Sequence, residues 1–121
     1  MVLLITNRNA ARHAALFDKI YRFRHRFFVD HMRWTDLRKP DGREIDQFDT
    51  PSAAHIVGLE QGEVVSYTRL LPTTGPHLMR DVFGSMLQGA NEPTGPEIWE
   101  WTRCAVEPRL REGRKLSLIH I

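Results

Sequence analysis

Charged side chains occupy positions that the hydrophobic pattern of this sequence assigns to its interior. Arg24 lies on the apolar stripe of a predicted helix, and Arg69 alternates with Val65 and Tyr67 on the buried face of a predicted strand. A later strand, which contains IWEWTR, carries Glu100 and Arg103 among tryptophans. Burying an ionised side chain costs several kcal/mol unless an opposite charge lies beside it. Any fold of this chain must therefore bring these groups to charged partners from elsewhere.

Composition limits the classes of protein to which the chain can belong. Its 121 residues, 41% hydrophobic and 26% charged, are enough for one small globular domain with a single core. A formal charge of +2 lacks the concentrated basic footprint of a nucleic-acid-binding protein. Cys104 is the single cysteine, so an internal disulfide is excluded and a structural cysteine within a strand is the simplest interpretation. No apolar run reaches the roughly 20 residues of a membrane span. We expect a cytoplasmic protein with no nucleic-acid or membrane partner.

The first half of the chain predicts a strand, a helix and a long loop. Residues 2–6 have the pattern of a short strand, and Asn7 or Asn9 can cap the helix that follows. Apolar residues then recur in steps of three and four as far as Phe28. Residues 30–52 are a polar loop that exceeds the usual connection length, which suggests a functional segment.

The second half predicts a hairpin, a short helix and a last strand. Two strand-like runs flank Gln61 and Gly62, which is a compact hairpin signal. Residues 78–87 form a short amphipathic pattern, and the strand-like run 97–106 follows a loop rich in proline and glycine. The order β-α-loop-β-β-α-β predicts an α/β protein of the α+β type, with the hairpin and the last strand in one sheet.

The long loop supplies the anions that the buried arginines need. Its segment EIDQFD contains Glu44, Asp46 and Asp49 beside Phe48, an apolar residue that can anchor the loop to the core. The simplest prediction is a network of six side chains, buried or lining a cleft. Its members are Arg24, Arg69, Arg103, Asp46, Asp49 and Glu100.

Two interpretations of this network stay open on the pattern alone. In the first, ion pairs clamp the loop to the sheet and nothing reacts. In the second, the network is the wall of a site for a zwitterionic substrate, with one carboxylate left as a general base. Strand alternation adds a constraint, because it places Glu100 and Arg103 on opposite faces of an ideal strand. Either a bulge or strong twist occurs there, or Arg103 reaches its partners around the strand edge.

Other chemistries find no support in the motifs. The six histidines lack the spacing of paired metal ligands, and the acidic loop lacks the glycine and terminal glutamate of an EF-hand. Walker A, GxGxxG and GxSxG motifs are absent from the sequence. We therefore predict no metal site.

Four separated motifs together resemble the acyl-homoserine-lactone synthases, the autoinducer synthases of bacterial quorum sensing. They are RHRFFVDHMRW, EIDQFD, TRLLPTTGPHLMRDVF and IWEWTR, and the similarity runs from about residue 3 to about residue 110. The resemblance implies a fold similar to the GNAT N-acyltransferases, with a mixed sheet flanked by helices. It also implies that residues 1–113 are the amino-terminal part of a single synthase domain whose carboxy-terminal part is missing. We interpret residues 114–121 as a non-native tail, although their apolar pattern also fits a terminal strand.

The resemblance implies a set of site residues around S-adenosylmethionine and the reacting centre. In the family, the matching positions are Arg24, Phe28, Trp34, Asp46, Asp49, Arg69, Phe83, Glu100, Thr102 and Arg103. Glu100 is the candidate catalytic base. His55 departs from the family, which commonly has an aromatic residue, usually tyrosine, at that position.

The implied reaction uses S-adenosylmethionine as a substrate, with no cofactor. The amine of S-adenosylmethionine attacks the thioester of an acyl-acyl carrier protein or an acyl-coenzyme A. The carboxylate of the same molecule then displaces methylthioadenosine and closes the lactone. We expect the 121-residue chain alone to be inactive, because the resemblance places the rest of the acyl pocket in the missing part. Two alternatives remain, another GNAT-like acyltransferase with a different amine substrate and a non-catalytic binding module clamped by ion pairs.

Overall fold

A four-stranded sheet organises the protein. The computed structural model describes residues 1–90 and 93–110, and the predicted tail over 114–121 lies outside them. The strands are β1 (Val2–Ile5), β2 (Ala54–Glu60), β3 (Glu63–Pro72) and β4 (Trp99–Val106). They lie in the order β1-β2-β3-β4, and each neighbouring pair is antiparallel. The predicted α+β class is confirmed, while a parallel pair, which a mixed sheet requires, does not occur in the described stretches.

Helical segments connect the strands. A 3₁₀ turn (Ala10–His13) leads into α1 (Ala14–His25), which continues as a π-helical turn (Arg26–His31), and a 3₁₀ turn (Thr35–Leu37) follows. Between β3 and β4 lie α2 (Leu78–Asp81) and a 3₁₀ turn (Gly84–Leu87). Over residues 1–90 and 93–110, no helix has the length and apolar character needed to cross a membrane.

Two helix predictions differ from the structure. Asn9 precedes the first helical turn but does not cap it, because its amide bonds to the end of β1, accepting from Thr6 N at 2.8 Å and donating to Leu4 O at 3.0 Å. The helix predicted over 78–87 is two short turns, since the backbone leaves the helical region at Val82 (φ −120°). Neither difference moves the long helix or the strands.

The main core lies between α1 and one face of the sheet. Amphipathic spacing turns one side of α1 and of its π-helical extension onto β3 and its neighbours. The buried side chains of this core are Ile5, Ile20, Phe23, Phe27, Phe28, Val57, Val64, Tyr67 and Ala105. On the opposite face, Leu4 and Trp101 are exposed.

A smaller cluster fixes the acidic loop. Phe48, Ala53 and Leu71 are buried together, and Leu78 of α2 packs against them. Phe48 is only 2% exposed, which confirms its predicted role as the anchor of the loop. The loop that carries the carboxylates is therefore held by an apolar contact as well as by charge.

The hairpin forms as predicted. Gln61 and Gly62 join β2 to β3 with positive φ angles of 52° and 81°, as a two-residue type I′ turn requires. A register shift between Gly58 and Leu59 then places Val64, rather than Val65, in the core.

Candidate active site

Arg24 is the buried centre of an ion-pair cluster. Its guanidinium is fully buried and donates to Glu44 from Nε and Nη2 at 3.1 and 2.9 Å. It also forms a two-point pair with Asp49, at 2.7 and 3.0 Å. The rings of Tyr21 and Tyr67 lie 5.6 and 5.5 Å from its charged carbon. This geometry satisfies a cation that burial would otherwise strongly destabilise.

Arg69 is the second fully buried arginine of the cluster. Fully buried on β3, it pairs with Asp46 through two bonds of 2.6 and 3.1 Å, and its Nη1 lies 3.2 Å from Asp49. Its Nε donates to Thr102 Oγ1 on β4 at 2.9 Å. The predicted pairing of Arg69 with the acidic loop is therefore present, and Thr102, another predicted site residue, bonds to Arg69.

Arg103 reaches the cluster because β4 contains a bulge. Arg103 and Cys104 lie opposite the single residue Thr68 of β3, and Arg103 has a φ of +57°. The extra residue changes the alternation of the strand, so that Arg103 faces the same side as Thr102 while Cys104 is exposed. Of the two predicted alternatives, the strand distortion is confirmed. Cys104 lies within a strand, as expected, and its side chain is exposed.

Glu44 takes the place in the cluster that we predicted for Glu100. It is 1% exposed and bridges Arg24 and Arg103, since it accepts hydrogen bonds from both, at 2.8 Å from Arg103 Nε. Arg103 also lies 3.2 Å from Asp46. The placement of Glu100 in this network is wrong, because Glu100 lies near the start of β4 and accepts hydrogen bonds from backbone amides instead. The acidic side chain at Glu44, two residues before Asp46, is the signal that identifies it.

The acidic loop folds so that its carboxylates converge. Asp46 Oδ1 accepts from Phe48 N at 2.9 Å, and Asp49 Oδ2 accepts from Asp46 N at 2.9 Å. Such local turns are typical of aspartate. They leave the remaining lone pairs of both carboxylates pointing to Arg24 and Arg69.

The charges in the cluster stabilise one another. Burial alone would lower the pKa of Arg24, but its bonds to Asp49 and its proximity to Glu44 outweigh burial and raise that pKa. Burial alone would raise the pKa of Asp49, but the hydrogen bonds of Arg24 and the charges of Arg24 and Arg69 lower it to about 2. Three arginines face three carboxylates, so the cluster is formally neutral.

Phe28 and Trp34 form an aromatic shelf beside Arg103. Phe28 lies 5.6 Å beneath the guanidinium of Arg103, and Trp34 stacks on Phe28 with ring centres 5.0 Å apart. Phe28 is buried, whereas Trp34 is 44% exposed. The shelf therefore runs from the buried cluster to solvent, and the predicted residues Phe28 and Trp34 lie next to each other at its edge.

Glu100 and Phe83 lie apart from the ion-pair cluster. Glu100 is half-buried on β4 and accepts from the backbone N–H groups of Leu78 and Met79, at 2.7 and 2.8 Å. Phe83 lies between the two short turns and is 43% exposed. In the described residues its ring makes no contact with Phe28 or Trp34.

His55 forms a buried pair behind the cluster. Its Nδ1 lies 2.5 Å from Tyr67 Oη, and the edge of its ring contacts Phe17. Burial lowers the pKa of His55 to about 4 and raises the pKa of Tyr67. Both groups are neutral at physiological pH, so this pair is a packing element of the site wall.

The geometry leaves one side of the cluster open. Arg24 and Arg69 are fully buried, but the side chain of Arg103 is 13% exposed. Among the described residues, none accepts a hydrogen bond from Arg103 Nη1. The arrangement can therefore bind an anionic group at Arg103, beside an aromatic surface.

Comparisons with known proteins show which family the sequence matches. A family model described as autoinducer synthase matches residues 7–121. The chain belongs to the autoinducer synthase family. It is 36% identical over 113 residues to the isovaleryl-homoserine lactone synthase of Bradyrhizobium diazoefficiens, which covers 93% of this chain and 52% of that protein. An acyl-homoserine-lactone synthase of Acinetobacter nosocomialis is 38% identical over 89 residues, covering 73% and 48% of the two proteins.

Solved structures of autoinducer synthases have the same fold. The CoA-dependent acyl-homoserine lactone synthase BjaI, solved with SAM and isopentyl-CoA, superposes with a TM-score of 0.86 at 36% identity. The match covers 93% of this chain and 53% of BjaI. The synthase LasI gives a TM-score of 0.70 at 25% identity, covering 98% and 64% of the two chains. The chain thus spans about half the length of the curated autoinducer synthases it matches.

Proposed function

We propose that the full-length protein containing this chain is an acyl-homoserine-lactone synthase that makes a quorum-sensing signal. It transfers an acyl group from a thioester to the amine of S-adenosylmethionine and then closes the lactone, with S-adenosylmethionine as substrate and no cofactor. Family membership supports this activity, as does the similarity to BjaI, whose structure contains SAM and isopentyl-CoA. Because both kinds of substrate are cytoplasmic metabolites, we place the protein in the cytoplasm.

The observation that carries the proposal is the open side of the cluster. S-adenosylmethionine presents a carboxylate, an amine, a sulfonium and an adenine ring. Arg103 Nη1 offers donors to the carboxylate, and the shelf of Phe28 and Trp34 offers an aromatic surface to the sulfonium or the adenine. The neutral cluster of buried ion pairs holds these groups in fixed positions, which favours attack geometry.

Glu100 is the group that we assign as general base. The nitrogen of the neutral amine bonds to the thioester carbonyl carbon, and Glu100 takes the amine proton directly or through water. The carbon–sulfur bond breaks, and the departing thiolate receives that proton and leaves as the thiol. Each carboxylate oxygen keeps a second lone pair when it accepts one backbone N–H, so Glu100 retains the capacity to accept this proton. In the second step the carboxylate oxygen bonds to the γ-carbon and the carbon–sulfonium bond breaks, which releases neutral methylthioadenosine.

For the acyl donor we favour coenzyme A over acyl carrier protein. The structures of BjaI and MesI, both 36% identical to this chain, are those of CoA-dependent synthases. Assays with each donor in turn distinguish the two, since only the true donor supports turnover at low concentration.

The proposal is tested by substituting Arg103 in the full-length protein. Arg103→Ala should lower lactone production at least tenfold, because it removes the donors for the substrate carboxylate. Arg109→Ala is the control, since Arg109 is exposed and, within residues 1–90 and 93–110, its ion pair is a surface one with Glu60 at 3.4 Å. Lactone yield that is unchanged in a folded Arg103→Ala protein contradicts this site. If the unmodified protein makes no lactone and Arg103→Ala only lowers stability, the ion pairs act as the structural clamp of a non-catalytic binding module.

A further inference from the structure

The carboxylate of Glu100 is held at both oxygens by the backbone. Leu78 N donates to Oε1 at 2.7 Å, and Met79 N donates to Oε2 at 2.8 Å. Two such bonds fix both the rotamer of the side chain and the plane of its carboxylate. In the described residues Glu100 forms no ion pair, so these two amides are its partners.

The segment that presents the two amides is itself anchored at several points. Thr73 Oγ1 donates to Ile98 O at 2.7 Å and accepts from Gly95 N at 3.1 Å. His77 is fully buried, with Nδ1 2.8 Å from Gly75 O. The Thr73 bonds tie this segment to the chain that leads into β4, where Glu100 lies, and the His77 contact holds the segment's own turn.

The Leu78 side chain adds an apolar anchor to the same segment. It packs on the cluster that contains Phe48, Ala53 and Leu71. Because Phe48 also fixes the acidic loop, the amides that hold Glu100 and the carboxylates that pair with the arginines share one support. Glu100 is thus placed relative to the ion-pair cluster by backbone and core, although it does not touch the cluster.

We propose that the backbone amides of Leu78 and Met79 are positioning groups that orient the Glu100 carboxylate for proton transfer. The inference rests on the proposed synthase activity, in which Glu100 is the base. It assigns residues 73–79 a role in the chemical step rather than in binding S-adenosylmethionine. A general base must lie within hydrogen-bond reach of the proton that it removes, so a carboxylate free to rotate would be a slower base.

Leu78→Pro removes one of the two donors with little other change to the backbone. Leu78 is the first residue of α2, a position that accepts proline, and its N–H bonds to Glu100 alone. The preceding residue, His77, is already extended, with φ −154° and ψ 163°, as proline requires. Leu78→Ala is the matched comparator, since it removes the same side-chain packing and keeps the N–H.

The measurement is the ratio of kcat for Leu78→Ala to kcat for Leu78→Pro in the full-length enzyme. We expect a ratio of roughly ten or more with KM for S-adenosylmethionine similar in both, because one charge-assisted hydrogen bond is lost. The same ratio in a Glu100→Gln background should fall close to one, since the amide acts through the carboxylate. A ratio near one in the original background, or a ratio that persists with Glu100→Gln, overturns the inference.

Failure of the inference and failure of the proposed function are distinguishable. If Glu100→Gln alone leaves kcat unchanged, the assignment of Glu100 as base is wrong and the positioning role falls with it. If Glu100→Gln is slow but the two Leu78 variants are equal, the base stands and the positioning role alone is overturned. Should Leu78→Pro fail to fold, amide hydrogen exchange decides: faster exchange at Leu78 and Met79 in Glu100→Gln supports the contact, and unchanged exchange overturns it.

Discussion

Glu44 and Arg103, 59 residues apart in the sequence, meet at 2.8 Å between Oε1 and Nε inside the cluster. Arg103 adopts this position with a left-handed backbone, which costs roughly 1–3 kcal/mol for a residue other than glycine. The pair is nearly buried, and Glu44 also neutralises Arg24. The strained bulge is therefore retained because it brings the third arginine to the buried carboxylates.

Glu44→Gln should destabilise the protein by about 3–5 kcal/mol, because it leaves the buried cluster with three arginines, two aspartates and one uncompensated positive charge. Urea unfolding of the purified protein measures this loss. Asp18→Asn is the control: Asp18 is 46% exposed and pairs with Arg22 and Arg43 at the surface, so its loss of stability should be much smaller. Equal losses for the two variants would show that the buried cluster contributes no more than surface pairs.

Stability should fall in acid in two stages, the first of which comes from His55. The pKa of His55 is about 4 in the folded protein and about 6.5 when unfolded, so the unfolded state binds more protons between these values. The contribution is fully present above pH 6.5 and about 3 kcal/mol is lost as pH falls to 4. Asp49, with a pKa of about 2 against an unfolded value of 3.8, adds a second loss below pH 4.

Free energies of unfolding measured at intervals from pH 7 to pH 3 test the first stage. His55→Phe should flatten the curve between pH 6.5 and 4, because it removes the imidazole that the unfolded state protonates in this range. A curve for His55→Phe that keeps the original slope would contradict the assignment.

Gln61→Asn should stabilise the protein by roughly 0.5–1 kcal/mol. Gln61 has a φ of +52° in the hairpin turn, a conformation that asparagine adopts more readily than glutamine. Thermal unfolding measures the gain, and Gln47→Asn, in the acidic loop and without a positive φ, serves as the control. No difference between the variants would mean that the turn conformation carries little strain.

Trp34→Ala should raise KM for S-adenosylmethionine about tenfold in the full-length enzyme, because the exposed part of the aromatic shelf is lost. Trp99→Ala is matched in exposure, at 46% against 44%, but lies on β4 away from the shelf. Steady-state kinetics of both variants provide the test. A KM that rises equally in both would place the substrate elsewhere.

Sequence periodicity was sufficient for the strands, the long helix and the hairpin, because each depends on local pattern and on turn chemistry. It also found Arg24 and Arg69 at buried positions and the acidic loop as their partner. It placed Glu100 in the cluster where the structure has Glu44, because strand alternation does not show how a loop folds over a sheet. The partner of Glu100 is a pair of backbone amides, which no side-chain pattern encodes.

The bulge in β4 could be predicted because strand alternation conflicts there with the expected positions of two charged residues. Ideal alternation cannot place Glu100 and Arg103 on one face, and that conflict predicted a distortion in β4. The structure has it at Arg103 itself. No such conflict marks the second bulge, near Leu59, so the sequence does not reveal it. Alternation therefore predicts Val65 in the core, whereas the structure has Val64 there.

The 121-residue chain by itself should produce no lactone from S-adenosylmethionine and an acyl thioester. It spans about half the length of the curated synthases it matches, and the resemblance assigns the rest of the acyl pocket to the remainder. Mass spectrometry of reactions with the purified chain measures this. Lactone above the level of an enzyme-free control would show that the described half contains a complete site.

The most direct test of the proposed activity follows both products of one reaction in the full-length protein. S-adenosylmethionine carrying a ¹⁵N-labelled amine is supplied with an acyl-coenzyme A, and lactone and methylthioadenosine are quantified over time. We predict that ¹⁵N-labelled acyl-homoserine lactone and methylthioadenosine appear in equal amounts, each matching the thiol released. Thiol release with neither labelled lactone nor methylthioadenosine would contradict the assignment of this protein as a lactone synthase.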